Sequence, residues 1–388
     1  MPLLRTPVRP ALVLAACLAW LNTAEIIPAQ AQQLPAAQES HAQRVARING
    51  GRVAIVSGGI GGTYIRIATD LGSVLDDGDN LRILPIAGKG SVQNILDILY
   101  LKGIDIGIVQ SDVLSYLKQQ PAFRNIDRRI HYIAKLYNEE FHLIAGRGIT
   151  SLDELAGHKV NFGVKGSGTF MTATTVFNAL GIDITPVHYD QALALEKIKA
   201  GEIAATVYVA GKPARAIAAL SAGDGLKLIG IPYTAELQAT YLPASFTHQD
   251  YPGLIGGSNA VETIAVGAVM AVFNWTPGSV RYRRVAKFVD AFFAKFAEFR
   301  KPPRHRKWQE VSLTATLPGW TRFAPAQAWL DAHARSAQAP QPAGTSAPSG
   351  SFQRFVSTFA QQPGAAPMTP AQQRALFTQF KQWQESRR

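Results

Sequence analysis

Between Val53 and Val272, short continuous apolar runs alternate with stretches in which apolar residues recur every three or four positions. The first pattern is that of strands buried on both faces, the second that of helices with one apolar side. Strands are expected over 52–57, 82–87, 104–109, 141–145, 159–164, 184–189, 203–209, 226–231 and 262–272. Helices are expected over 63–75, 90–102, 112–119, 168–180, 190–200 and 213–221. This alternation makes βαβ units, and so an α/β chain with mostly parallel sheets flanked by helices.

The pattern also repeats weakly at a period of about 100 residues. Val53-Ala-Ile-Val-Ser-Gly-Gly-Ile-Gly-Gly-Thr-Tyr64 is a strand, a glycine turn and a helix start; Val160-Asn-Phe-Gly-Val-Lys-Gly-Ser-Gly-Thr-Phe170 is another. Two such units imply two lobes with a cleft between them. The expected division is a discontinuous first lobe, 48–145 plus 241–330, and a second lobe, 146–240.

Beyond the lobes the pattern changes. Val285, Phe288, Val289, Phe292, Phe293 and Phe296 share one helix face, which Lys301-Pro302-Pro303 ends. Residues 331–351 read as a Pro/Ala/Ser linker. Two amphipathic segments follow within 352–388, one with Phe352, Phe355, Val356 and Phe359, the other with Leu376, Phe377, Phe380 and Trp383. They would dock on the body or bind an envelope partner as helices in a groove.

Composition and charge bound the function. Hydrophobic residues are 47% of the 388, mean hydropathy is +0.02 and charged residues are 17%, so the chain builds a core and is neither disordered nor a coiled coil. The net charge of +12 gathers partly in 281–307, which holds ten Lys and Arg against Asp290 and Glu298. Those cations occupy the wet side of the Phe-rich helix. They read as a solvated face or a surface for anionic lipid or ligand, and nucleic acid is not expected as a partner.

The N-terminus has the layout of a secretory signal peptide over 1–31. Arg5 and Arg9 flank the apolar run 11–21, and Ala29-Gln30-Ala31 is a small-residue cleavage site. Leu14-Ala15-Ala16-Cys17 also fits a lipoprotein box with Cys17 lipidated, a reading that ranks behind cleavage at Ala31. Residues 32–47 read as a spacer, and the mature protein is expected in the periplasm. Cys17 is the lone cysteine, so thiol catalysis and thiolate metal sites are excluded from a cleaved chain.

Glycine turns let backbone amides approach a ligand, and a helix N-terminus behind them favours an anion. Gly59, Gly61, Thr63 and Tyr64 belong to the first turn; Gly166, Ser167, Gly168 and Thr169 belong to the second. Ser91, Gln110 and Ser111 lie at the ends of neighbouring strands of the first lobe, and Tyr208 near the end of a strand of the second. Neither turn satisfies the Walker or the Gly-x-Gly-x-x-Gly pattern, and Gly-x-Ser-x-Gly is absent. The eight histidines form no helical pair that would bind a metal. His248 reads as a surface residue, Asp105 as fixing a turn and Asp112 as capping a helix. With no nucleophile–base pair, the set suits recognition of a small anion rather than catalysis, and no cofactor or metal is expected.

Five motifs occur in one order: Val56 to Tyr64, Gly90-Ser-Val-Gln-Asn94, Asp105-Ile-Gly-Ile-Val-Gln-Ser-Asp112, Leu152-x-x-Leu-x-Gly157-x-Lys-Val and Gly166-Ser-Gly-Thr169. Over about residues 50–300 the chain resembles the TAXI family, the TRAP-associated extracytoplasmic immunogenic proteins that serve TRAP transporters as solute receptors. The resemblance implies a two-lobed fold of the type II periplasmic binding protein kind. It also implies a small organic acid or amino acid ligand, often glutamate-like, and TRAP permease subunits as membrane partners. The chain departs from the family pattern at Ala204, where an Asp is usual, and at Leu317-Pro318-Gly319-Trp320, which stands near the place of a His-Pro-Gly-Ala signature. The other reading is a ligand-sensing or adaptor protein of the cell envelope, acting through the basic helix and the C-terminal segments without transport.

Overall fold

Aliphatic runs such as Val53-Ala-Ile-Val56 send successive side chains to opposite sides, so a strand built from them needs a core on each face. The computed structural model, which describes residues 39–338, provides one. Its strands are β1 (Arg52–Val56), β2 (Arg82–Ile86), β3 (Ile106–Gln110), β4 (Ile130–Ala145), β5 (Lys159–Asn161), β6 (Thr185–Val187), β7 (Ala205–Ala210), β8 (Lys227–Ile229), β9 (Leu242–Thr247) and β10 (Ala260–Phe273). Its α-helices are α1 (His41–Gly50), α2 (Thr63–Leu75), α3 (Ser91–Tyr100), α4 (Val113–Lys118), α5 (Ile126–Arg129), α6 (Gly168–Leu180), α7 (Gln191–Lys199), α8 (Arg215–Ala218), α9 (Ala235–Gln238), α10 (Val280–Ala294), α11 (Phe296–Phe299) and α12 (Ala324–Gln338).

The strands run in the order β2-β1-β3-β10-β4-β7-β5-β6, with β8 also on β4 and β9 also on β10. Pairings of β1 with β2 and β3, and of β5 with β6 and β7, are parallel. The long strands β4 and β10 pair antiparallel from Phe273 opposite Ile130 to Ala265 opposite Glu140. At Glu140, β4 takes a new neighbour, and Glu140–Ala145 pairs with Ala210–Ala205 of β7. Likewise β10 pairs with β3 along Ala268–Val272 and with β9 along Ala260–Ala265. The chain therefore crosses twice between two α/β lobes, once along each long strand. The fold is mixed α/β, two-lobed and of the type II periplasmic binding protein kind.

Each lobe has two cores, one per sheet face. In the first lobe Val53, Ile55, Ile106, Ile108, Met270 and Val272 face α2 and α10, while Ala54, Val56, Val109, Val269 and Ala271 face α3 and α4. In the second lobe Phe141, Leu143, Val207 and Val209 pack against α6, and Ile144 and Ala210 face the other side with Ala194 and Ile198 of α7. The expected Phe-rich face of α10 is the inner one. Phe292 is fully buried, with the rings of Phe288, Phe296, Phe299 and Trp308 between 5.4 and 6.0 Å from its own. The cations of α10 have structural work on the wet side: Lys287 donates to Asn80 O at 2.8 Å and Arg284 to Gly50 O at 3.2 Å. Asp105 fixes the start of β3 against β1, accepting from Ala54 N at 3.0 Å.

Several expected boundaries differ. Strand 141–145 is only the end of β4, which starts at Ile130, and β9 was not expected at all. The helix expected over 213–221 is the single turn α8. Residues 41–47, read as spacer, lie in α1, whose Ser40 caps it with a reciprocal bond from Gln43. Residues 331–338, read as linker, continue α12, whose Trp329 packs on Phe293. The proposed signal peptide, Cys17 and the segments within 352–388 lie outside the described residues. Among the described residues no helix is long and apolar enough to cross a membrane.

Replacing Phe292 by Ala removes the central ring of this cluster and should cost about 3–5 kcal/mol in urea unfolding. A loss below about 1 kcal/mol would show that the aromatic cluster does not anchor α10.

Candidate functional site

Both glycine turns open on the same cavity, about 460 Å³ in volume, between the lobes. The first follows β1, and Gly62 is the N-cap of α2 with no side-chain cap, so the first amides of α2 are left for solvent or ligand. The second follows β5 and leads into α6, where Ser167 Oγ accepts from Phe170 N at 3.0 Å. Of the expected residues, Gly59, Gly61, Thr63, Tyr64, Ser91 and Gln110 line the cavity from the first lobe. Ser167, Gly168, Thr169 and Tyr208 line it from the second. Two expected residues do not line it. Gly166 turns its carbonyl to Gln93 N at 3.0 Å and takes φ +87°, so its part is to bend the loop. Ser111 donates its N–H to Gly267 O at 2.8 Å and accepts from Trp320 Nε1 at 2.8 Å, facing the C-terminal segment instead.

The walls are set by buried polar contacts. Asn94, fully buried on α3, donates from Nδ2 to Ser57 O at 2.9 Å and Ile108 O at 2.7 Å, tying the ends of β1 and β3 together. Ser91 Oγ accepts from Gln110 N at 2.9 Å. Thr169 Oγ1 accepts from Val209 N at 3.1 Å and so holds α6 on β7. Gly168 brings the lobes into contact: a Cβ there would collide with the side-chain oxygen of Gln110 and with Ser91 Oγ.

Asp112 does not cap α4 with its side chain, contrary to expectation. Its Oδ2 accepts across the lobes from Thr172 Oγ1 at 3.0 Å and from Tyr241 OH at 3.2 Å, Tyr241 packing in the second-lobe core with Phe141 and Val207 although the expected division puts 241 in the first lobe. Burial raises its pKa from 3.8 to about 6, the two hydroxyl bonds opposing the rise. His248 is exposed, with Nδ1 2.7 Å from Ile255 O, and does not line the cavity.

The lining includes residues that the sequence reading did not single out: Gly163, Tyr189, Asp190 and, above all, Glu139. Glu139 lies on the part of β4 that was not expected to be strand, and its carboxyl accepts from Tyr64 OH at 2.5 Å. Burial pushes the Glu139 carboxyl well above the usual range. Burial likewise raises the Tyr208 hydroxyl to about 12, so the cavity wall carries it as a neutral phenol. No histidine or cysteine lines the cavity, and the described residues hold no cluster of three or more His, Cys, Asp or Glu suited to a metal ion.

A folded-state pKa of about 6 against 3.8 sets the sign for Asp112. Its contribution to stability is greatest below pH 3.8, falls as pH rises to about 6 and stays low above that. Asp112→Asn should therefore gain stability relative to the parent as pH rises from 4 to 6.5, by about 1–3 kcal/mol. Chemical denaturation at the two pH values measures it, and an unchanged difference would reject the assignment.

Comparison with solved structures finds loose likenesses. One described as a periplasmic transporter is 13% identical, with 74% of this chain and 94% of that one covered and a TM-score of 0.45. The alkanesulfonate-binding protein SsuA of Xanthomonas axonopodis pv. citri, bound to MOPS, is 13% identical over 75% of this chain and 95% of its own, at a TM-score of 0.41. The effector-binding domain of QuiR in complex with shikimate is 10% identical over 62% and 96%, at a TM-score of 0.37. The sequence itself is more decisive: residues 55–304, which contain the cavity and both crossing strands, match the model of the NMT1-like family, and the chain belongs to that family.

Proposed function

We propose that this chain is an extracytoplasmic solute-binding protein. It holds a small organic anion, a carboxylate or amino acid, between its lobes and delivers it to a TRAP-type membrane permease. The observation that carries this reading is the meeting of two glycine strand-to-helix turns, one from each lobe, on one cavity. Uncapped amides at the start of α2, with those near the start of α6, favour negative charge without a buried cation. A ligand touching both turns stabilises the closed arrangement, because each lobe contributes part of its binding surface. The cavity side chains combine hydrogen-bonding groups, aromatics and aliphatics, with no nucleophile–histidine pair among the described lining residues, which supports capture rather than bond cleavage. The signal-like sequence over 1–31 supports the periplasm, and the ordered family motifs support a TRAP permease as the partner.

Thermal-shift titration with dicarboxylates, 2-oxo acids and amino acids tests the capture. A true ligand at 100 times its Kd should stabilise the protein by about 2.7 kcal/mol. Gly61 has open space where a Cβ would sit, so a side chain there brings charge without collision. Gly61→Asp should weaken an anionic ligand by about tenfold or more, and Gly61→Asn by much less. Equal affinities for the two variants would reject an anion at this turn.

A further inference from the structure

The amide-rich turns account for an anion, yet the cavity contains a carboxyl that an anion alone does not explain. Glu139 is 2% exposed and lines the cavity. Its neighbour Glu140 points to the other side of β4, as strand alternation requires. There Lys307 Nζ lies 2.8 Å from Glu140 Oε1, and Lys212 N donates to Oε2 at 2.8 Å. Glu139 has no such cation. Tyr64 OH donates to its Oε2 at 2.5 Å, and among the described residues no hydrogen-bond donor reaches Oε1. Around it stand Tyr64, Tyr137, Tyr208, Asp112 and Glu140, with Lys307 already bound to Glu140. Among the described residues the one cationic side chain lining the cavity, Lys89, is exposed.

An ionised carboxylate buried without a partner is costly, and a cation brought to it relieves that cost. Tyr64 sits in the first turn of α2, so one residue joins the amide-rich turn to the carboxyl. The cavity is thus bipolar, with amides on the glycine turns and a carboxyl on the crossing strand.

We propose that Glu139 is a specificity-determining residue that binds a protonated amine of the captured solute, so that the cavity selects a zwitterionic amine-bearing carboxylate over the same acid without the amine. This rests on the solute-binding reading above and adds which group the solute must carry. The raised pKa of Glu139 fits: an amine's charge supplies a counter-ion and draws the carboxyl into its ionised form.

The test uses the full chain and matched acids: alanine, aspartate, glutamate and leucine, each with its 2-oxo acid and its deaminated acid, titrated by calorimetry. At least one amino acid should bind about tenfold or more tighter than both of its matched acids. Glu139→Gln keeps the size and an acceptor for Tyr64 OH; it should lose that preference, with deaminated acids bound as well as before or better. If 2-oxo or deaminated acids bind the parent as tightly as amino acids do, Glu139 acts as a neutral donor or not at all, and the inference is overturned while solute binding stands. A Glu139→Gln protein that keeps the parent's preference also overturns it. If no acid of any set binds, the solute-binding reading falls and this one with it. Preference among matched acids is read on the unmodified chain, so the outcome does not depend on the variant folding.

Discussion

The arrangement depends on the antiparallel pairing of β4 with β10, two strands long enough to belong to both lobes. Inside a protein every backbone amide and carbonyl needs a partner. A chain that passes through the base of a cleft meets that requirement only if it stays in a sheet. Here β4 is hydrogen-bonded to β10 up to Glu140 and to β7 beyond it, so no residue at the crossing is left without a ladder. The same rule fixes the chemistry at the crossing. Alternation sends Glu139 into the cavity and Glu140 to the opposite face, toward Lys307. A register slip of one residue would turn Glu140 to the cavity face and Glu139 to the face of Lys307.

Contact between the lobes above this base is limited and mostly polar. Gln93 N donates to Gly166 O, Thr172 bonds Gln110 and Asp112, and Tyr241 reaches Asp112. Met171 is the apolar exception, lying in a core cluster of the first lobe although α6 belongs to the second. Hydrogen bonds of this kind contribute about 1 kcal/mol each, because open lobes would satisfy the same groups with water. Closure is therefore within reach of a ligand's differential binding energy, whereas each lobe, with aliphatic cores on both sheet faces, is not. The glycine at 168 fits this picture, since it lets α6 approach Ser91 and Gln110 with no side chain between them.

How much of this was legible in the sequence differs from residue to residue. The turns after β1 and β5 were legible because two signals coincide there: an apolar run stops at glycines, and a helical period starts just after. The face of α10 was legible for the same reason, from six apolar residues at helical spacing. The first half of β4 was not. Its sequence from Ile130 mixes His131, Lys135, Asn138, Glu139 and Glu140 with apolar residues, which reads as surface. The two carboxyls are accommodated by tertiary partners that no local pattern reports: Tyr64 is 75 positions from Glu139 and Lys307 is 167 from Glu140. Asp112 misled in a similar way. A carboxylate before a helix is usually a cap, but here the competing acceptor role was offered by hydroxyls from the other lobe.

The two kinds of polar feature in the cavity therefore carry different information. Glycine turns are local, and local sequence shows them; they set where negative charge is tolerated and are shared by many anion sites. The buried carboxyl is a tertiary feature, created by where a crossing strand places one side chain among tyrosines. A site made of amides alone would rank acids by size and charge. In the role proposed for Glu139, the site discriminates by the second functional group of the solute, because only a solute that brings a cation holds the buried carboxyl in its ionised form. On that proposal, specificity in this chain lies less in the glycine turns than in Glu139 of β4.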